Sequence, residues 1–318
     1  MMTAVLLILC ILSSSFTGNI YKKISAESKG FSVSAVMPAV WFAVLTVVFV
    51  LLAAGAGEVF TLSLVPTAVV SGICIAAAVV ILIESMKTNA LSVSIIIVNL
   101  NFIIPVVLSV LFLQESANPL QLAGMLLSIT VIVFLNLHSD TAESTEEKSS
   151  DTKTAASGLK LRSSIWLPLA ACIANGLVNF CIKINENSGM SALWFFAVMY
   201  ASAMITCLVW GLLADIREKS QNAKQGSKIA AFISGGSFKA MLPWMLLIGA
   251  CNGICFYTAR LLAERMNAAA QFTVITCASI LLSLVVGFVY QGDKFTKKTA
   301  VTIFFCVLAV ICQRSGIA

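Results

Sequence analysis

Charge is what this sequence has least of. Its 318 residues hold 20 Lys and Arg, 14 Asp and Glu and a single histidine, so 11% are charged, against about 25% in an ordinary soluble domain. That scarcity excludes a soluble surface. No acidic residue stands at the centre of an apolar run. Glu84, Glu115, Glu264 and Asp293 all lie near run ends, so a proton relay of buried carboxylates is not expected. With His138 alone at a run end, a metal site is not expected either. Neither a Gly-x-x-x-x-Gly-Lys-Ser/Thr loop nor His-Glu-x-x-His occurs, which removes the P-loop ATPase and zinc-protease readings. Acid, base and nucleophile within mutual reach are not recognisable. The expectation is no enzyme and no cofactor.

Apolar residues are abundant, at 59% of the chain with a mean hydropathy of +1.00. Runs long enough to cross a bilayer (about 17–25 residues) fall at 3–20, 34–54, 65–86, 89–113, 119–138, 164–183, 190–214, 240–263, 267–290 and 297–313. The fold class expected is an all-α integral membrane protein with ten transmembrane helices, multi-pass in the plasma or inner membrane. The first run lacks preceding positive charge and is followed by Lys22 and Lys23, unlike a signal peptide. All ten cysteines lie in apolar runs and read as small hydrophobes. Cys251 and Cys255 are one turn apart but lack the further ligands a metal needs.

Residues 139–163 are rich in Ser, Thr, Glu and Lys without an aromatic, the composition of a flexible linker. They divide a first five-helix unit, 1–138, from a second, 164–318. The units resemble each other. An offset of 178 pairs Asn89 with Asn267, Ile97 with Ile275 and Glu115 with Asp293; an offset of 160 pairs Ser15 with Asn175, Asn19 with Asn179 and Lys23 with Lys183. The longer basic loop at 215–239 accounts for the change. Five is odd, so the second unit enters the membrane from the opposite side. Such inverted repeats place a binding site at the midplane.

The stretch VNLNFIIP (98–105) sets two amides and a proline inside an apolar run. Pro105 has no N–H for the carbonyl of Asn101, which is therefore expected to be left free. Pro38, Pro66, Pro168 and Pro243 are expected in first turns, and Pro119 opens a run. Unsatisfied backbone at membrane depth is tolerated where it is buried in protein or lines a wet cavity. Asn99 and Asn101 lie about 200° apart on a helix, so one is expected to line the cavity and the other to bond a neighbouring helix. Asn175, Asn179, Asn252, Gln271 and Thr276 join them as candidate solute-binding residues, with Trp194, Tyr200 and Tyr257 as walls. Pro105, Lys183 and Arg260 are candidate gates, with Glu186 and Glu264 spaced to pair with the two cations. The bland readings stand beside these: amides as helix–helix glue, Trp and Tyr at the lipid interface, cations snorkelling from helix ends.

The segment IIPVVLSVLFLQESANPLQLAGMLLSITVIV (103–133) resembles the drug/metabolite transporter superfamily, in its ten-helix EamA branch, through Pro105, Glu115, Gln121 and Gly124. In the second unit Ser283, Gly292-Asp293 and Thr302 depart from that pattern, and SSSFTGN (13–19) stands where the family has a tryptophan. The resemblance implies a permease whose cavity is lined by helices 1–4 and 6–9. The function expected is secondary transport, as exporter or exchanger, of a small neutral or zwitterionic metabolite or amphipathic solute. A flippase for a lipid-linked carrier and a membrane enzyme acting on lipid are the alternatives. Expected partners are the solute, membrane lipid and, for a homodimer, a second copy; the net charge of +6 needs no nucleic acid. Sixteen of the 20 Lys and Arg fall on the side of the odd-numbered loops, which places both termini outside by the positive-inside rule. The resemblance implies cytoplasmic termini instead.

Overall fold

The computed structural model describes residues 2–28, 30–88, 97–115, 118–137, 166–221, 227–290 and 297–313. Among these residues every regular element is a helix: α1 (Met2–Glu27), α2 (Phe31–Gly55), α3 (Val65–Thr88), α4 (Ile103–Phe112), α5 (Pro119–Leu137), α6 (Trp166–Asn187), α7 (Ala192–Gln221), a short α8 (Lys228–Ser234), α9 (Gly236–Ala263), α10 (Ala268–Tyr290) and α11 (Lys297–Cys312). Five stretches are long and apolar enough to cross a membrane: Phe31–Gly55, Leu62–Lys87, Trp166–Asn187, Ala192–Ser220 and Gly236–Ala263. Leu51, Leu111, Phe112, Leu212 and Phe304 are well exposed. An outward apolar belt of this size is at home in lipid rather than water. The chain is an all-α protein with membrane-spanning helices. Asp293 and the linker at 139–163 lie outside the described residues.

The packing pairs elements across the two units. α2 lies along α7, α5 along α11, α3 along α6 and α9 along α1, while α4 meets α6 and α10 meets α1. Glycines set the tightest approaches. A Cβ on Gly72 of α3 would fall onto the Ser202 hydroxyl and the Met199 carbonyl of α7. A Cβ on Gly176 of α6 would come within 2.6 Å of Ile104 and 2.9 Å of the Asn101 carbonyl.

Three local expectations change. The basic loop is largely helical: α7 runs to Gln221, and Asp215 accepts hydrogen bonds from the Ser227 hydroxyl (2.7 Å) and Lys228 N–H (3.0 Å). Ser227 in turn caps α8 by accepting from Ala230 N–H. Pro38 and Pro243 lie inside α2 and α9 rather than in first turns, because those helices begin at Phe31 and Gly236. Pro105 moves the other way. The backbone at Leu100–Phe102 is a 3₁₀ turn, which bonds i to i+3, so Pro105 falls in the first turn of α4. The Ile103 N–H bonds back to the Leu100 carbonyl, and the Asn101 carbonyl faces Gly176 of α6.

Candidate functional site

Aromatic side chains from α1, α2, α7 and α9 meet in the middle of the bundle. The Tyr200 ring stacks on Phe42, Phe49 and Phe196 at centroid distances of 5.9, 5.6 and 6.2 Å. Tyr257 closes on Phe49 and Phe196 at 6.0 and 6.2 Å, and Trp41 stands edge-on to Tyr21 and Phe42. Asn252 donates to the Tyr21 hydroxyl at 3.1 Å. Two polar atoms within this box, Trp41 Nε1 and the Tyr200 hydroxyl, are fully buried and without a partner among the described residues. Each such group costs roughly 1–3 kcal/mol. A packed core would normally avoid both.

The amide-bearing residues divide in two. Asn252 and Gln271 are interhelix ties: Asn252 as above, and Gln271 Nε2 donating to the Ala259 carbonyl at 2.6 Å. Around the α4–α6 contact the amides of Asn99, Asn101, Asn175 and Asn179 have no hydrogen-bond partner among the described residues. Thr276 is half-buried and likewise without a partner there. Trp194 belongs elsewhere. Its Nε1 donates to the Glu58 carbonyl at 2.8 Å and its ring meets Phe60, at the end of the bundle where α2 turns into α3.

That same end carries a buried network around Lys183. Its ammonium contacts Glu115 Oε1 at 2.9 Å and Glu186 Oε2 at 3.3 Å. It also donates to the carbonyls of Ala263 (2.9 Å) and Met266 (3.4 Å). The other Glu115 oxygen accepts from Ala268 N–H at 2.9 Å. One lysine thus caps the C-terminus of α9 while its partner carboxylate caps the N-terminus of α10, each charge facing the favourable end of a helix dipole. Arg260, also buried, donates to Asn185 Oδ1 (3.2 Å) and pairs with Glu264 (2.8 Å). Gln121 continues the seam by accepting from Asn267 Nδ2 at 3.0 Å. Elements from both units are bound together here.

Burying a cation such as Lys183 costs several kcal/mol, recovered only by close partners; two carboxylates and two carbonyls supply them. Backbone strain helps to aim one of them. Gln114, at the end of α4, has φ 54°, in the left-handed region that side chains other than glycine adopt rarely. That turn brings Glu115 back onto Lys183.

At the opposite end Lys23 is exposed, its ammonium 3.8 Å over the Trp244 ring of α9. The ion pairs there, Lys87–Glu84, Lys219–Asp215 and Lys228–Glu218, lie on α3, α7 and α8, and their lysines are more exposed than Lys183 or Arg260. A cleft of about 620 Å³, bordered by Phe31, Trp210 and Arg217, opens at that end and includes none of the candidate residues.

The predicted pairings of Lys183 with Glu186 and of Arg260 with Glu264 are present. Sequence reasoning missed Glu115 as the main partner of Lys183, because no spacing rule links residues 68 positions apart. It also missed Trp41 and Tyr21. A tryptophan in mid-run rather than at a run end was the available signal for Trp41.

No family model matches the sequence, and no curated protein matches it. A solved structure described as "Crystal structure of protein" is similar in fold, with a TM-score of 0.61 over 96% of this chain and 97% of that one, at 12% identity. At that identity the likeness speaks for the fold alone.

Proposed function

We propose that the protein is a secondary transporter of a small neutral or zwitterionic organic solute, built of ten spans as two inverted five-helix repeats. The observation that carries this reading is the reciprocal packing. α3 on α6 is mirrored by α9 on α1, and α4 on α6 by α10 on α1, while α2–α7 and α5–α11 each join an element to its own repeat mate. A two-fold relation of this kind, with the axis in the membrane plane, gives a midplane site that rocking of the halves exposes to either side.

The interior supports an uncharged or zwitterionic solute. Unpartnered amides on the 3₁₀–α4 segment and α6, and the unpartnered Trp41 and Tyr200 groups, offer hydrogen bonds among aromatic faces. The Lys183–Arg260 seam holds two cations against three carboxylates, so it has no spare positive charge for an anion. The basic end lies on the cytoplasmic side by the positive-inside rule.

The test is flux. Proteoliposomes holding the protein are expected to take up at least one labelled amino acid, amine or nucleoside faster than empty vesicles, and saturably. Tyr200→Phe should slow that uptake while the melting temperature holds or rises, since its hydroxyl has no partner to lose. Uptake no faster than in empty vesicles for every class removes the reading.

A further inference from the structure

We propose that Lys183 and Lys23 are the two latches of one reciprocal switch, Lys183 closing on the C-terminus of α9 and Lys23 on the C-terminus of α3. The inference rests on the transporter reading and adds how its two ends are coupled. The repeat offset of 160 sets Lys23 of α1 against Lys183 of α6. In this structure only Lys183 is latched, on Glu115 and on the last carbonyls of α9. Lys23 instead rests on the ring of Trp244, near the start of the same helix. Trp244 and Ala263 are 19 residues apart, about 28 Å of helix. α9 is therefore touched by repeat-related lysines at its C-terminus and, more than two turns in from its start, at Trp244, one lysine buried and one exposed.

The repeat also names where Lys23 goes. The residue 178 before Ala263 is Ser85, in the last turn of α3. The end of α1 is already beside that turn, since the Ser25 hydroxyl donates to the Ile83 carbonyl at 3.0 Å. Lys23 stands two residues before Ser25, as Ile83 stands two before Ser85. When α9 tilts, Ala263 leaves Lys183, Trp244 leaves Lys23, and the freed Lys23 ammonium turns to the terminal carbonyls of α3. Each lysine holds shut the end at which it is latched.

Hydrogen–deuterium exchange on the full-length protein in lipid nanodiscs reads both ends at once. Glu115→Gln keeps an acceptor for Ala268 N–H but removes the charge that holds Lys183. It is expected to raise deuterium uptake severalfold at 260–268 and to lower it at 20–27 and 83–87. Lys23→Met, an exposed change that leaves the folded core intact, should do the reverse and lower uptake at 260–268. Uptake rising at both ends in Glu115→Gln, changing at one end alone, or staying unchanged at 260–268 in Lys23→Met overturns the switch. The readout needs no solute. Reciprocal exchange without flux leaves the switch standing and removes the transport reading; flux without reciprocal exchange does the opposite.

Discussion

The proposed repeat sets Lys183 and Lys23 in equivalent places, and the two have opposite surroundings. Lys183 is buried among two carboxylates and two carbonyls that belong to the turn after α4, to α6, to α9 and to the turn before α10. Lys23 lies in the open over an aromatic ring. The difference does not come from the lysines themselves. It comes from what their neighbours present: a helix C-terminus and a carboxylate aimed by a strained turn on one side, an indole face on the other. The two lysines thus mark two ends of one molecule, one with its cation buried and paired and one with its cation exposed.

The largest test of that contrast is removal of each cation. Lys183→Met leaves Glu115 and Glu186 facing each other without a counter-charge, and losing one member of a buried pair costs about 3–5 kcal/mol. Lys23→Met loses an exposed cation–π contact of at most about 1 kcal/mol. Thermal melting in detergent should separate the two variants clearly; equal losses would mean that the two ends are alike.

A second comparison sets the α3–α7 interface against α9–α2, its counterpart in the proposed repeat. A methyl on Gly72 meets backbone as well as a hydroxyl, whereas one on Gly253 crowds the tip of Leu45, 2.7 Å away, and reaches the Phe49 ring at an ordinary 3.8 Å. Gly72→Ala should therefore lower stability by roughly 1–3 kcal/mol or more. Gly253→Ala should be close to neutral, because a leucine tip can turn aside and alanine favours helix by about 1 kcal/mol. Denaturant or thermal curves on the pair would show it, and equal effects would deny the asymmetry.

Much of the architecture was legible because burial in lipid writes itself into long apolar runs. The described helices follow those runs, apart from helical ends that extend beyond the apolar stretch, as α1 does to Glu27 and α7 to Gln221. Those extensions, and α8, are held by side-chain ties such as Asp215 to Ser227 that hydropathy cannot register. The site was legible only in part. Spacing rules found the local pairs Lys183–Glu186 and Arg260–Glu264. They could not find Glu115, whose approach depends on how α4 and α6 pack at Gly176. The amide of Asn252 looked like a solute ligand in one dimension and is tied to Tyr21 in three.

The smallest predicted effect concerns the turn that aims Glu115. Gln114→Gly relieves a left-handed conformation and should stabilise the Lys183 end by roughly 1 kcal/mol, visible as a modest rise in melting temperature. No rise would mean that the turn carries no strain.

Trans-stimulation in proteoliposomes tests the central claim most directly. Once a transported solute is known, vesicles preloaded with its unlabelled form should take up the labelled form several times faster than empty-lumen vesicles, because a single site returns loaded to the outer face. Uptake that rises linearly with concentration and ignores the preload would describe a passive pore, and would contradict a site alternately closed by the Lys183 and Lys23 ends.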